Sequence, residues 1–493
     1  MKTIDTKALR MKILDLAMSG KLVPQDPNDE SVEVLLERIK VERESLVKQK
    51  KIKKVPDYII YKGDDNRYYE KIDGNATEIK AFRTIPNSWI YIHQYNICWL
   101  ENGEVINDKL LPYLEAKVIR GTKQPINVNN GVIVYPGQKV ILVDGENSGE
   151  VMSIPYEGYM GSTFKILAFS SCINQKFLAY FFEINREKYR NNKKGSAIPH
   201  LNKELFKYMP FPLPPLAEQE RIVEKLDTLL SFITLIEEKS NSLIEIKENL
   251  KQKTLTLAIQ GKLVPQDSND EPASELLKRI RAEKKAQLGK KYVESYIFKG
   301  DDNYYYEHIN GKNIDITEEI PFDLPKSWEW TKLKDIVTNL TDGTHRTPRY
   351  TIDGVPFISV KDVSSGTLSF SNTKYISFEE HNELIKRCNP EKGDILLTKV
   401  GTTGIPVLVD TDKRFSLFVS VALIKYNCKF VITQFFIYLL KSPLVQQQAA
   451  DNTRGVGNKN WVLTDIENTL LAIPPLTEQK RIVDKIDEIF AKL

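Results

Sequence analysis

From Ile222 onward apolar residues return at every seventh position, at Ile222, Leu229, Ile236, Leu243, Leu250 and Leu257. A second series, Leu226, Ile233, Ser240, Lys247 and Thr254, falls between them and turns polar at Ser240. This spacing predicts one helix with a single seam, apolar on both sides for its first half and on one side thereafter. Pro214-Pro215 fits the helix start, Glu218 its first turn and Gly261 a C-terminal cap. From Pro215 to Gln260 the helix would run about 46 residues, or about 69 Å, long enough to serve as a spacer as well as a packing element. Other stretches carry a different period. Residues 131–151 and 389–409 each alternate apolar and polar positions, break at a Gly-rich turn and alternate again, which predicts strand, turn and strand. Aromatic helices follow, KFLAYFFEINREKY from Lys176 and FVITQFFIYLLKSP from Phe430.

The same pieces occur twice. GKLVPQD at residues 20–26 returns unchanged at 261–267, each time behind a helical stretch, LRMKILDLAMS and LKQKTLTLAIQ. Charged helical stretches come next (VLLERIKVERE and ELLKRIRAEKK). YKGDDNRYYEKIDG from Tyr61 and FKGDDNYYYEHING from Phe298 follow, and then Ser88-Trp89 and Ser327-Trp328. Each half closes alike, with PPLAEQERIVEKLDTLL at 214–230 and PPLTEQKRIVDKIDEIF at 474–490. Between these pieces lie two mostly unlike inserts, so the frame is a duplication whose inserts have diverged. The second closing helix, with Ile482, Ile486, Ile489 and Leu493 on its seam, stops with the sequence. The missing half of its pattern stands at the other end, with Leu9 and Leu16 at the positions of Leu250 and Leu257. The ends are thus circularly permuted. The N- and C-terminal helices together would imitate the central helix and pair with it antiparallel about a pseudo-two-fold axis.

The expected class is α+β, with two mixed α/β globules joined by long antiparallel coiled-coil helices. The expected segments are an N-terminal helix with a linker segment (1–84), a first globule (85–213), the central helix (214–260), the repeated linker segment (261–324), a second globule (325–473) and a C-terminal helix (474–493).

Composition narrows the function. A chain of 493 residues exceeds one ordinary core. Its 70 Lys and Arg against 66 Asp and Glu leave only +4, so attraction to an anionic partner must come from local surfaces. Cys98, Cys172, Cys388 and Cys428 form no CxxC pair, which argues against a disulfide framework or a zinc cluster. No apolar run is long enough to span a bilayer, and the cytoplasm is the expected location. The signatures GxxxxGK[ST], HExxH, GxGxxG after a strand and the [DN]PP[FY] box of amino-methyltransferases are missing. Pro56-Asp57 with Glu78-Ile79-Lys80 has a nuclease-like spacing. Its second copy reads Glu294 and Asp315-Ile316-Thr317 without the lysine, which argues against a metal site. His93, His200, His308, His345 and His381 form no triad spacing. Neither a catalytic residue nor a metal ligand is expected.

Basic loops in the inserts remain. Arg186, Arg190, Lys193, Lys194 and His200 flank one Gly turn; TDGTHRTPRY supplies His345, Arg346 and Arg349; DNTRGVGNKNW supplies Arg454, Asn458, Lys459 and Asn460. Such loops combine cations that neutralise phosphates with Asn, Arg and Lys that can read purine edges, beside glycines that admit a close backbone. Together they favour a nucleic-acid binder, although a solvated turn is the plain alternative for any one residue. A protein–protein scaffold is the competing class, separated by salt-sensitive binding to duplex DNA. A single-chain nuclease or methyltransferase is disfavoured by the missing motifs.

The duplicated EQxRIV helices behind divergent inserts, with DGTHRTPRY and GDILLTKVGTTG in the second insert, resemble the specificity subunit of type I restriction-modification systems. The resemblance covers nearly the whole chain. It implies that each insert is a target-recognition domain reading one half of a split DNA sequence. It also implies that the helices carrying Ile222, Leu226, Leu229, Ile233, Ile482, Ile486 and Ile489 set the spacing and contact other subunits. On this resemblance the chain has no catalysis and binds no cofactor of its own. Two S-adenosylmethionine-dependent methyltransferase subunits bind it, and two translocase-nuclease subunits using ATP and Mg can join. Two unlike readers imply an asymmetric, interrupted target rather than a palindrome. The segment from GKLVPQD through KGDDN exceeds the minimal insert-and-helix plan, and docking of the methyltransferase is one role for it.

One heptad inserted near Ser240, matched by one after Leu493, keeps the seam in register and lengthens each helix by about 10 Å. Methylome sequencing should then show the same half-sites with a gap wider by about 3 base pairs, less whatever DNA twist and bending absorb. An unchanged gap in an active variant would mean that these helices do not space the inserts.

Overall fold

The computed structural model describes residues 4–55, 58–72, 75–79, 83–195, 199–455 and 459–493. The chain divides into two compact units, Met1–Asn241 and Ser242–Leu493, each with a core of its own. The division falls inside one uninterrupted helix, Leu216–Ile259. Each unit therefore opens on a helix leading into GKLVPQD and closes on an EQxRIV helix. In unit 1 these are Thr6–Met18 and the first part of the long helix; in unit 2 they are its last part and Leu476–Lys492. Within each unit the two helices run antiparallel. Gln25 meets Glu218 while Arg10 feels the charge of Glu237, and Gln266 meets Glu478 while Lys247 Nζ donates to the Leu493 carbonyl.

The heptad expectation holds in part. Ile222, Leu226, Ile233, Ile482 and Ile486 are buried, and Leu229 and Ile489 are half-buried. Leu243 and Leu250, expected on the seam, are instead 42% and 47% exposed. Val223, Leu230, Leu255, Ala258 and Ile259 are buried in addition. Each end of the long helix lies on a globular core, which takes a wider face than a coiled-coil seam, and the stretch around Leu243 lies on neither core.

The duplicated motifs meet at one buried carboxylate per unit. Trp89 Nε1 and Gln25 Nε2 donate to Glu218, at 2.9 and 2.6 Å. Ser88 Oγ donates to Gln25 Oε1. Arg221 holds Asp29 through two bonds of 2.9 and 2.5 Å. Gln219 accepts the Asn174 amide at 2.9 Å and donates to the Pro214 carbonyl. Unit 2 repeats the set: Trp328 and Gln266 donate to Glu478 at 3.0 and 2.6 Å, Arg481 holds Asp270, and Gln479 accepts the Ile432 amide. Burial pushes both glutamate carboxyls up from the usual range, and the donated hydrogen bonds oppose that rise. Gly20 turns the chain at φ +67°, with its missing Cβ only 2.3 Å from Pro86; Gly261 does the same against Pro325. Only glycine fits there.

KGDDN is a hairpin tip. It joins Tyr58–Lys62 to Tyr68–Ile72 and Ser295–Lys299 to Tyr305–Ile309, with Asn66 and Asn303 in the left-handed region. Asp65 and Asp302 accept the hydroxyls of Tyr69 and Tyr306, each at 2.7 Å.

Each insert is closed by pairing its first strand with its last, Ile90–His93 with Pro210–Leu213 and Glu329–Lys332 with Leu470–Ile473. Each contains an antiparallel four-stranded sheet in the same order. In unit 1 the order is Cys98–Glu101, Phe164–Phe169, Lys139–Leu142, Val151–Ser153; in unit 2 it is Val337–Asp342, Val421–Tyr426, Ile395–Thr398, Pro406–Leu408. The strand-turn-strand expectation for 389–409 thus falls on the last two strands of the unit 2 sheet, whereas in unit 1 residues 131–151 hold the end of Asn127–Val134 and all of Lys139–Leu142 and reach only the first residue of Val151–Ser153. The aromatic helices Gln175–Asn191 and Thr433–Lys441 bury Phe177, Phe181, Phe435 and Phe436 against them. Divergence lies in the second sheet. Unit 1 uses Val105–Leu114, Asn127–Val134 and Gly158–Met160, whereas unit 2 uses Tyr350–Thr351, Lys374–Ile376, Val355–Ile358 and Ser416–Leu417. The class is mixed α+β, and no described helix is long and apolar enough to cross a membrane.

Glu218→Leu leaves the buried Trp89 indole N–H without its acceptor, while the exposed Gln25 amide keeps the Gly20 carbonyl. Unit 1 should lose about 1–3 kcal/mol in a denaturant titration, the cost of one unsatisfied buried group. A loss below about 0.5 kcal/mol, a surface-substitution value, would show that the carboxylate does not hold the frame.

Candidate nucleic-acid interface

In the common sheet, Cys98–Glu101 and Lys139–Leu142 both run antiparallel to the strand between them, so their C-terminal ends lie at one edge. Unit 2 places Asp342 and Thr398 in the same way, beside Val421. A basic loop is laced onto this edge in each unit. In unit 1 Lys194 and His200 pair through their backbones, Gly145 donates to the Pro199 carbonyl and Leu201 to the Val143 carbonyl, both at 2.8 Å. In unit 2 Arg454 and Asn460 pair, Gly401 donates to the Lys459 carbonyl and Trp461 to the Lys399 carbonyl, again at 2.8 Å. Two loops of unlike sequence are therefore one structural element in two copies. Their tips, 196–198 and 456–458 with Asn458, lie outside the described residues.

The edge of unit 2 also receives the TDGTHRTPRY loop. Gly343 starts it where a Cβ would stand 2.0 Å from the Leu417 carbonyl oxygen, and the Thr344 amide donates to that carbonyl at 3.0 Å. Two of the three basic loops singled out in the sequence thus converge in unit 2, and the third occupies the matching place in unit 1.

Their electrostatics differ. In unit 1 most of the cations are compensated. Arg186 pairs with Glu150 at 3.0 Å, Arg190 with Glu146 at 3.4 Å and His200 with Asp144 at 2.6 Å, while Lys193 Nζ donates to the Glu146 carbonyl. Arg120 is a second cation on Glu150. Only the Lys194 side chain has no partner in this group, among the described residues. In unit 2 Arg454 reaches Asp465 at 3.3 Å, but the exposed side chains of Arg346, Arg349 and Lys459 have no charged partner among the described residues. His345 Nε2 lies 3.2 Å from Asp342.

Three residues that sequence reasoning missed surround that contact. Asp342 is 2% exposed and also holds Arg387 at 2.5 Å and Lys399 at 3.2 Å. Lys399 is itself 4% exposed. Its place at the end of GDILLTKVG looked like an ordinary strand end, and nothing in sequence brings residues 342, 387 and 399 together.

The remaining polar groups are structural in their contacts. His93 meets Glu70 at 2.5 Å, His308 meets Asn313 and buried His381 meets Ser416. All four cysteines are free, and burial pushes the Cys388 thiol up to about 12. Among the described residues no group of three or more His, Cys, Asp or Glu could hold a metal ion. Pro56, Asp57 and Lys80 of the nuclease-like spacing lie outside the described residues.

A duplicated frame presenting two unlike basic loop clusters defines a protein with two separate readers on one chain. The chain belongs to the type I restriction modification DNA specificity family, whose model matches residues 94–245 and 325–493, more than half of the sequence. It is 29% identical over 554 aligned positions to the type I restriction enzyme EcoAI specificity subunit of Escherichia coli, covering 98% of this chain and 88% of that one. Identity to the EcoEI specificity subunit of Escherichia coli is 26%, with 98% and 89% covered. A chain from a solved structure of the assembly and conformational transition of the type I R-M system aligns at 15% identity and a TM-score of 0.48, covering 83% of this chain and 91% of that one.

Proposed function

We propose that this chain is the sequence-specific DNA-recognition subunit of a type I restriction-modification complex, reading an asymmetric bipartite target and directing partner methyltransferase and endonuclease subunits. The observation that carries the reading is the pair of matched sheet edges. The same backbone element stands at the same place in both units and carries different side chains, which is what two unlike half-sites require. Family membership and the naming of its relatives as specificity subunits support it.

The DNA-facing residues are Arg186, Arg190, Lys193, Lys194 and His200 in unit 1, and His345, Arg346, Arg349, Arg454 and Lys459 in unit 2. Exposed cations next to Gly145, Gly401 and Gly455 suit phosphate contacts and base edges alike. The chain itself is non-catalytic. S-adenosylmethionine is bound by two methyltransferase partners, and ATP and Mg by up to two restriction subunits.

The purified chain alone should neither methylate nor cut DNA, and should gain methylation only with a partner carrying a [DN]PP[FY] box. Tritiated methyl transfer to plasmid DNA measures this, and transfer by the isolated chain would sink the assignment. In the assembled methyltransferase, Ala at both Arg346 and Arg349 should weaken binding at one half-site about tenfold or more and leave discrimination at the other intact. Equal relaxation at both halves would show that the units do not read independently.

A further inference from the structure

Asp342 and Lys399 form a buried ion pair at the edge of the unit 2 sheet. Such a pair gains little stability over an apolar pair of similar size, because both charges leave water. The duplication supplies an internal control. Unit 1 has Asn102-Gly103 leaving its first sheet strand where unit 2 has Asp342-Gly343. It has Val143 accepting the Leu201 amide where unit 2 has Lys399 accepting the Trp461 amide. Val143 is a buried aliphatic side chain, and Asn102 is neutral and accepts from Lys165 at 2.6 Å. The sheet edge is therefore built without the ion pair in unit 1, so the fold does not require it.

What the pair does is collect positive charge. One carboxylate faces Lys399, Arg387 and His345, and Arg346 and Arg349 follow on the same loop with no carboxylate against their side chains among the described residues, although Glu380 accepts the Arg349 backbone amide at 3.2 Å. Lys459 stands on the loop that Gly401 holds. The matching edge of unit 1 sets Asp144, Glu146 and Glu150 against its cations.

Resting on the DNA-reading assignment, we infer that Asp342 is a positioning residue that sets Lys399, Arg387 and His345 behind Arg346 and Arg349. The cluster makes unit 2 the electrostatic anchor on the DNA backbone, whereas unit 1, where Glu146 and Asp144 each hold a cation, neutralises fewer phosphates. Each phosphate neutralised adds about 0.9 to the slope of log affinity against log salt, so the anchor has a direct signature. Salt should loosen the half-site of unit 2 first.

The test uses the full chain assembled with its methyltransferase partner, on a duplex carrying the target found by methylome mapping, with binding titrated between about 50 and 200 mM salt. Ala at Arg346, Arg349 and Lys459 should lower the slope by about 2–3, and Ala at Arg190 and His200, each held by a carboxylate of its own, by less than about 1. Equal losses from the two sets would overturn the anchor. Asp342→Asn with Lys399→Val installs the unit 1 pair. It should leave the unfolding midpoint near that of the unaltered protein, yet weaken binding about tenfold and lower the slope by about 1 or more. Unaltered affinity and slope in that variant would overturn the positioning role. Should it fail to fold, Arg387→Ala, which removes a half-exposed side chain, should lower the slope by about 1, and an unchanged slope would overturn the role equally. Failure of the unaltered complex to bind the duplex in a salt-dependent way is a separate result, which would remove the DNA reading itself.

Discussion

The frame depends on a carboxylate taken out of water at the first turn of each closing helix. Glu218 and Glu478 are 1% and 0% exposed, and a buried charge without hydrogen bonds costs several kcal/mol. Each is matched by two donors from distant parts of the chain, an indole N–H and a glutamine amide. The Gln comes from GKLVPQD, the Trp from the start of the insert and the Glu from EQxRIV. Three segments must therefore arrive together, or the carboxylate is left unpaired. This geometric demand explains why these short stretches are nearly identical in the two halves while the remainder of each insert differs.

The repeat made much of this legible. Duplication, the long helix, the strand-turn-strand units and the aromatic helices can all be read from spacing. The burial of that helix could not, because a heptad pattern assumes a partner helix along its whole length. Leu243 and Leu250 continue the pattern but have no core beneath them. The partners of Glu218 were equally hidden: the sequence marks GKLVPQD, Ser88-Trp89 and EQxRIV as repeated, but only folding shows that they meet. In the structure GKLVPQD fastens the frame and KGDDN turns a hairpin.

The basic loops were legible as composition and not as charge balance. Arg186, Arg190 and His200 look as free in sequence as Arg346 and Arg349, yet Glu150, Glu146 and Asp144 approach them only through folding. Asp342 escaped notice for the same reason. An acidic residue in a basic stretch reads as a neutralising charge, whereas burial makes it the point on which Arg387 and Lys399 converge. Local composition predicts where a cation is, and long-range pairing decides whether its charge is available.

The strand pairs that close each insert bear on how new target preferences could arise. Ile90–His93 lies residue for residue against Pro210–Leu213, and Glu329–Lys332 against Leu470–Ile473, so each insert leaves the frame beside the point where it joined it. A foreign segment spliced in between such strands meets the same closure whatever its internal length, since lengthening a closed loop carries only a slowly growing entropic penalty. One genetic crossover within each strand would exchange a whole reader and leave Glu218 or Glu478 with its donors intact. Selection can then act on binding preference without first having to restore folding.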